Sequence, residues 1–347
     1  METRIISASY YCGVDMHAKT SYFCILNRAG EIECKRNLEN NFKTVKGFLQ
    51  PFLPDVAVGC ESTYNYYWLS DGCLEANIRF YLGHALYMKA ISGNKKKNDP
   101  LDAFTIANLL RTSYFPEAYP YPPEMRATRD LLRRRHRLMR MRAEAYTHIQ
   151  LVFHQHGLTD LESKQVQDKK HRRLLIERFR QEDIRSNIAT DLDVIDALDP
   201  LIGDLESQIT HHAKHHRPRD YAILLTMPGI GKIFALNILY EMGSVDRFST
   251  VQKFSSYSRV VKCERTSNNK SKGSKNQKIG NPYLKWAMSQ IIMAATTSEA
   301  IAKYANRLEN KYGRRRARAQ IAHKFAVAIY YMLKNGEEFN EQRFLNS

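Results

Sequence analysis

The sequence predicts an α/β domain at its N-terminal end, followed by a longer and mainly helical remainder. Three observations carry that expectation. Short apolar runs of strand character alternate with helical spacing over residues 8–115. Prolines then gather at Pro116, Pro120, Pro122 and Pro123, a composition that reads as a linker. Beyond them the chain turns to long amphipathic helices with few Gly or Pro.

Ser9–Val14 is strand-like, and Ser21–Leu26 and Glu31–Arg36 follow after polar turns, so the three make a meander. Asn41–Phe52 has helical spacing through Phe42, Val45, Phe48, Leu49 and Phe52, and stops at Pro54. Asp55–Cys60 is a short buried strand, followed by an aromatic-rich helix through Tyr66, Trp68 and Leu69. Asn77–Gly83 is strand-like and Asp99–Arg111 helical. Three meander strands and then alternating helices and strands is the order expected of an RNase H-like domain.

Over residues 124–216, Thr128, Leu131, Leu138, Ala145, Ile149 and Val152 step by threes and fours, with Arg133, Arg134, Arg137 and Arg140 opposite. Ile195, Leu198, Ile202, Leu205 and Ile209 step likewise, with Pro200 expected to kink that helix or delay its start. Both runs suit antiparallel helices with a coiled-coil seam, which could also hold a second copy. The basic face suits either solvent or DNA.

Residues 217–347 read as a third, helical unit. Met227-Pro228-Gly229-Ile230-Gly231-Lys232 leads into an apolar helix, Ile233–Met242. The Gly229-Ile230-Gly231 turn is either a tight helix–helix connection or a place where backbone N–H groups and Lys232 meet a phosphate. Cys263–Lys278 has almost no apolar residue and combines hydroxyls with Lys270, Lys272 and Lys275. So long a polar loop is either disordered or functional, the sharper reading being a DNA-facing loop with a nucleophile. Arg314, Arg315 and Arg316 belong to a basic helical cluster suited to phosphates.

Composition limits the function classes. The chain has 347 residues and a formal net charge of +17, so a polyanionic partner is expected. Apolar residues make up 43%, which excludes a disordered chain. No apolar run approaches the roughly 20 residues of a membrane-spanning helix, and Met1-Glu2-Thr3-Arg4 opens no apolar signal segment. A cytoplasmic, bacterial, nucleoid-associated protein with no membrane partner is expected. The six cysteines include no CxxC pair, and several fall in apolar runs, as buried reduced thiols do.

Four acids stand out. Asp15 and Glu61 end apolar strand runs, and Asp99 and Asp102 open a helix three residues apart, on one face. Carboxylates brought together from such positions build a site for two hard, oxygen-loving cations. Each acid also has a local explanation: Asp15 could begin a turn and Glu61 could cap a helix. Asp99 at the N-cap, Pro100 at N1 and Asp102 at N3 would make a helix start unaided. Lys95, Lys96 and Lys97, just upstream, suit a phosphate-binding rim.

The order of these motifs resembles one family. Gly13-Val14-Asp15, Cys60-Glu61-Ser62-Thr63 and Asn98-Asp99-Pro100-Leu101-Asp102-Ala103 resemble the acidic segments of DEDD-type insertion-sequence transposases, the insertion sequence one-ten family. Met227-Pro228-Gly229-Ile230-Gly231 resembles the start of their C-terminal domain. Ser267, with Lys278-Ile279-Gly280-Asn281-Pro282-Tyr283-Leu284-Lys285, resembles that domain's serine loop and the helix start after it. The resemblance spans nearly the whole chain.

It implies a RuvC-like domain over 1–115, a helical coiled-coil connector over 116–216 and a C-terminal transposase domain over 217–347. Asp15, Glu61, Asp99 and Asp102 match the metal tetrad, for two Mg²⁺ per site, and Ser267 matches the nucleophile. It further implies target and donor DNA, a non-coding bridge RNA as guide, and a dimer or tetramer whose active sites combine acids of one protomer with the serine of another. Tyr64 and Asn268 stand where the family commonly has glycine, and Ser271 and Ser274 share the loop as alternative nucleophiles. The expected activity is RNA-guided, Mg²⁺-dependent strand breakage and rejoining through a serine–DNA link. A RuvC-like nuclease or junction resolvase using water, or a non-catalytic nucleic-acid-binding protein, are the alternatives.

Overall fold

A computed structural model describes residues 5–91, 98–213, 216–261, 278–295 and 298–346, together with the backbone of 266–267 and 270–271. The chain forms two compact units, Met1–Pro123 and Glu124–Ser347, so residues 124–216 and 217–346 share the second.

The first unit is a mixed six-stranded sheet in the order β3-β2-β1-β4-β5-β6. Its strands are β1 (Tyr10–Met16), β2 (Thr20–Asn27), β3 (Ile32–Glu39), β4 (Val56–Glu61), β5 (Arg79–Gly83) and β6 (Glu117–Ala118). Strands β1, β4 and β5 run parallel, while β2 and β6 are antiparallel to their neighbours. The helices are α1 (Phe42–Leu49), α2 (Tyr67–Glu75), α3 (Ala85–Ile91) and α4 (Asp99–Arg111). Two elements went unread in the sequence: α3, and β6, which recruits two residues of the proline-rich linker to the sheet.

Alternation along the strands assigns the two faces. Cys12, Val14 and Met16 of β1, with Val56, Val58 and Cys60 of β4, pack against Val45, Leu49 and Leu69 of α1 and α2. Tyr11 and Ala57 turn the other way, toward Ile106, Leu109 and Leu110 of α4. Burial pushes the Cys12 and Cys60 thiols well above their ordinary range, Cys24 up to about 11 and Cys73 up to about 12. These are inert core groups. Cys263 lies outside the described residues.

The second unit is dominated by α-helices. Helices α5 (Pro123–Gln155) and α7 (Glu182–Ala213) form an antiparallel hairpin, closed at its tip by the short α6 (Ser163–Gln167) and a 3-10 turn. Leu138 packs with Leu198 and Ile202, while Ile149 and Phe153 pack with Ile188 and Leu192. Polar contacts follow the same register: the ion pairs Arg135–Glu206 and Arg142–Asp199 and the His148–Asp191 hydrogen bond. Pro200 lies inside α7 and does not delay its start. The seam that the sequence offered to a second copy is therefore filled within the chain.

The remaining helices are α8 (Pro218–Leu225), α9 (Lys232–Met242), α10 (Val251–Tyr257), α11 (Pro282–Ala295), α12 (Glu299–Tyr312), α13 (Arg314–Asn335) and α14 (Glu341–Asn346). They enclose one large core that includes Leu224, Ile238, Phe254, Ile291 and Phe325. Thr266–Ser267 and Lys270–Ser271 pair as a small antiparallel ribbon, β7 and β8.

Candidate metal centre and nucleic-acid interface

Two glycines set the geometry of the acidic edge. Gly13 of β1 and Gly59 of β4 are register partners across the parallel pair. A Cβ on Gly13 would overlap the Ala103 carbonyl oxygen and the Ala107 nitrogen of α4. A Cβ on Gly59 would come 2.8 Å from a Leu110 methyl. The bare backbone at this pair lets α4 lie directly on the sheet.

Asp15 and Glu61 stand two residues beyond those glycines, on the same face and at the C-terminal ends of their strands. The register runs through Val14↔Cys60, so the next step brings Asp15 alongside Glu61. The first turn of α4, with Asp99 and Asp102, begins one helical turn before Ala103. Ligands of open α/β sheets gather at this kind of strand end.

The start of α4 corrects one sequence expectation. The N-cap is Asn98, in an extended conformation, and its side chain accepts from the Leu101 N–H at 2.9 Å. Asp99 is then the first helical residue, and neither Asp99 nor Asp102 is the cap. The capping explanation for Asp99 falls away.

The structure brings Asp15 and Asp99 together through a residue that sequence reasoning missed. His17 Nε2 lies 3.4 Å from Asp15 Oδ2 and 3.1 Å from Asp99 Oδ2. One ligand atom from each of Asp15, His17 and Asp99 falls within 4.8 Å of the others, close enough for one cation. Among the described residues Glu61 and Asp102 join no such three-residue group, though both are half-buried at the same edge. The signal for His17 was its spacing: two residues past Asp15, it stays on the strand's α4 face.

The turn carrying His17 is held by hydrogen bonds to the His17 backbone. Its N–H donates to Thr20 O at 3.1 Å. Its carbonyl accepts from Asn40 Nδ2 at 2.8 Å and Asn65 Nδ2 at 2.7 Å. Thr63, two residues after Glu61, donates its hydroxyl to Asn65 Oδ1 and so orients that amide. The segment after Glu61 thus braces the turn after Asp15.

The basic residues separate into three groups. Arg134 and Arg137 are exposed on α5, as are Arg314, Arg315 and Arg316 in the first turn of α13. No acid offsets them in that turn, so arginine charge and helix dipole add to a positive field. Arg133, expected on the same face as Arg134, is committed inward. It makes a two-pronged bond to the fully buried Glu241, at 2.6 and 2.9 Å, and stacks over Tyr283. Lys95, Lys96, Lys97, Lys272 and Lys275 lie outside the described residues, as do the side chains of Ser267 and Lys270.

The glycine turn divides as well. Gly229, at φ +87°, has its open side against α11, where a Cβ would sit 2.5 Å from Ile291 O. It is a packing glycine, as the tight-connection alternative required. Gly231 caps α9 in open space, and Lys232, the next residue, is exposed. Glu206, Ser207, Thr210 and His211 of α7 line a cavity of about 400 Å³ with Lys232.

Comparison with known proteins gives two family matches. Residues 12–157 match the family model of the DEDD transposase of IS110, and residues 221–306 match that of the transposase IS116/IS110/IS902 family. Both matches are to transposases of the DEDD, IS110 type, and the chain belongs to that family. A protein of Streptomyces coelicolor, named as a candidate transposase of the mini-circle IS117, is 26% identical over 152 residues. That stretch covers 42% of this chain and 34% of the relative. Among the described residues no helix is long and apolar enough to cross a membrane.

Proposed function

We propose that the chain is a metal-dependent DNA transposase or recombinase that cuts and rejoins strands through a covalent serine–DNA intermediate. The observation that carries this reading is the meeting of Asp15 and Asp99 at the strand edge, beneath a helix whose cap is supplied by another residue. The sheet order, with β2 antiparallel beside β1, supports an RNase H-like, RuvC-like assignment for residues 1–115. Residues 116–216 then serve as the helical connector and 217–347 as the C-terminal transposase domain.

The donor set fits a hard divalent cation, since carboxylate oxygens dominate it. Asp15, Glu61, Asp99 and Asp102 would hold two Mg²⁺ ions. Bound there, the metal would polarise a phosphodiester and favour ionisation of an attacking hydroxyl. Ser267 Oγ attacks phosphorus, loses its proton and expels a deoxyribose hydroxyl. The new serine phosphodiester conserves the bond until a second DNA hydroxyl displaces the serine and joins the strands. A metal nuclease using water has no need of that residue.

The partners on this reading are donor and target DNA, with a structured non-coding RNA as guide and a homo-oligomer that shares active sites between protomers. Arg134, Arg137, Gly231, Lys232 and Arg314–Arg316 are the described groups best placed for phosphate backbones, with Lys95–Lys97, Lys270, Lys272 and Lys275 as further contributors. Incubation of protein, RNA and DNA with Mg²⁺ yields a protein–DNA adduct that Ser267→Ala abolishes. Free cleaved ends in place of an adduct favour the hydrolytic nuclease. An adduct that persists in Ser267→Ala moves the nucleophile to Ser271 or Ser274. Unchanged activity in Asp102→Asn overturns the metal reading.

A further inference from the structure

The acidic edge contains a nitrogen donor that a four-carboxylate site does not require. His17 presents the same atom, Nε2, to Asp15 at 3.4 Å and to Asp99 at 3.1 Å. Its imidazole stands between an acid from β1 and an acid from α4, which are 84 positions apart in the chain. The three potential ligand atoms cluster within 4.8 Å, a span one cation can bridge.

The placement is built by its surroundings. Asn40 and Asn65 converge on the His17 carbonyl from different segments, and the His17 N–H closes the turn onto Thr20 O. The backbone that aims this imidazole is thus held by three hydrogen bonds, none of which uses the imidazole. On the other side, Asn98 takes over the capping of α4 and leaves Asp99 to face the histidine.

We propose that His17 is a metal ligand, giving this centre an Asp–His–Asp face that binds Mn²⁺ in preference to Mg²⁺. The proposal rests on the reading of this edge as a metal site and deepens it. Mg²⁺ favours oxygen donors in an octahedral shell and keeps several waters. An imidazole nitrogen is a softer donor, and affinity for mixed nitrogen and oxygen sites rises along the first transition series. Replacing one oxygen donor by imidazole therefore moves the preference from Mg²⁺ toward Mn²⁺.

The experiment uses the full-length, metal-stripped chain titrated with Mn²⁺ alone. Pulsed electron paramagnetic resonance of the bound ion reads directly whether a ¹⁴N nucleus is coordinated. The expected result is a nitrogen modulation in the unaltered chain that is absent from His17→Ala, with Mn²⁺ affinity falling roughly tenfold or more. Mg²⁺ affinity, read by competition, falls less. His17→Asp restores binding without the nitrogen signal and with its preference moved toward Mg²⁺. Circular dichroism and melting of both variants match the parent, because the turn is held by bonds to the His17 backbone and none to its imidazole. Bound Mn²⁺ with no nitrogen modulation overturns the role of His17 and leaves the carboxylate site standing. A chain that binds neither Mn²⁺ nor Mg²⁺ overturns the metal reading itself.

Discussion

The two units each gather carboxylates and cationic side chains, and they treat them in opposite ways. In the second unit Glu241 of α9 is fully buried, and its two oxygens accept from Arg129 at 3.1 Å, from Arg133 at 2.6 and 2.9 Å and from Asn281 at 2.7 Å. In the first unit Asp15 and Asp99 are 23% and 53% exposed and share one imidazole. A buried charge must be saturated with donors or it destabilises the fold. An acid at a solvent-facing strand edge can be reached by a ligand from solution. Burial among donors marks the structural carboxylate, and exposure at the strand edge marks the candidate functional ones.

The largest effect should come from breaking the saturated cluster. Glu241→Gln leaves Arg129 and Arg133 facing a neutral partner inside the second unit, at a cost of about 3–5 kcal/mol. Chemical denaturation, followed by far-ultraviolet circular dichroism, measures it. The pH dependence has a definite sign. Burial alone pushes the Glu241 carboxyl up, but the Arg133 hydrogen bonds, the charges of Arg129 and Arg133 and the Asn281 amide bring it below the ordinary glutamate value. Its stabilisation is therefore present above the unfolded value of 4.5 and is lost as pH falls through the folded value. In Glu241→Gln that loss on the acid side shrinks. An unchanged acid transition would break the comparison, since Glu241 would then not be held ionised.

Asn281 extends the consequence toward the polar segment that precedes it. Its Oδ1 accepts from Tyr283 N and Leu284 N and so caps α11, while its Nδ2 reaches Glu241. Its own N–H donates to Tyr257 O at 2.6 Å, fixing the chain just after residues 262–277. The saturated cluster holds the exit of that segment, whatever the segment itself does.

A smaller effect follows from Gly13→Ala. The new methyl overlaps Ala103 O and Ala107 N, so α4 must lift from β1. Overpacking of this kind costs about 1–3 kcal/mol. The sharper readout is metal binding, because lifting α4 carries Asp99 away from Asp15. Mn²⁺ affinity should fall in Gly13→Ala, while a methyl at Gly47, which has open space around it, leaves it unchanged. Equal affinities in both variants would mean that α4 does not set the spacing of the acids.

The contrast also explains what the sequence could tell. The strands of the first unit were legible because period-two alternation and flanking turns encode them locally, and α4 was read with its observed bounds, Asp99–Arg111. The four acids could be singled out by position, yet their neighbour His17 could not, because its value depends on Asn40 and Asn65 holding the turn. Glu241 was hidden for the opposite reason. It sits inside the apolar run Ile233–Met242, and only the packing of α5 against α9 reveals that Arg133 is its partner and not a phosphate contact. The two-residue strand β6 was too short to carry a periodic signal and forms only because β5 offers it an edge.

The smallest predicted effect tests whether Asp99 is really available. Sequence alone placed Asp99 at the helix cap, whereas the structure gives that position to Asn98. If Asn98 is the working cap, Asn98→Ala should destabilise the first unit by about 1 kcal/mol. Asp99, the next residue, is then the nearest carboxylate that could capture the freed N–H groups of the first turn. To do so it must rotate away from His17. Stability should partly recover in that case, and Mn²⁺ affinity should drop although no proposed ligand has been altered. The double variant Asn98→Ala, Asp99→Asn separates the two roles, because asparagine caps well but is a poorer metal ligand than aspartate. If Asn98→Ala lowers stability and leaves metal affinity intact, Asp99 is held by the site more firmly than by its helix. If it lowers affinity without lowering stability, capping and metal binding compete for the same carboxylate, and Asn98 keeps the two apart.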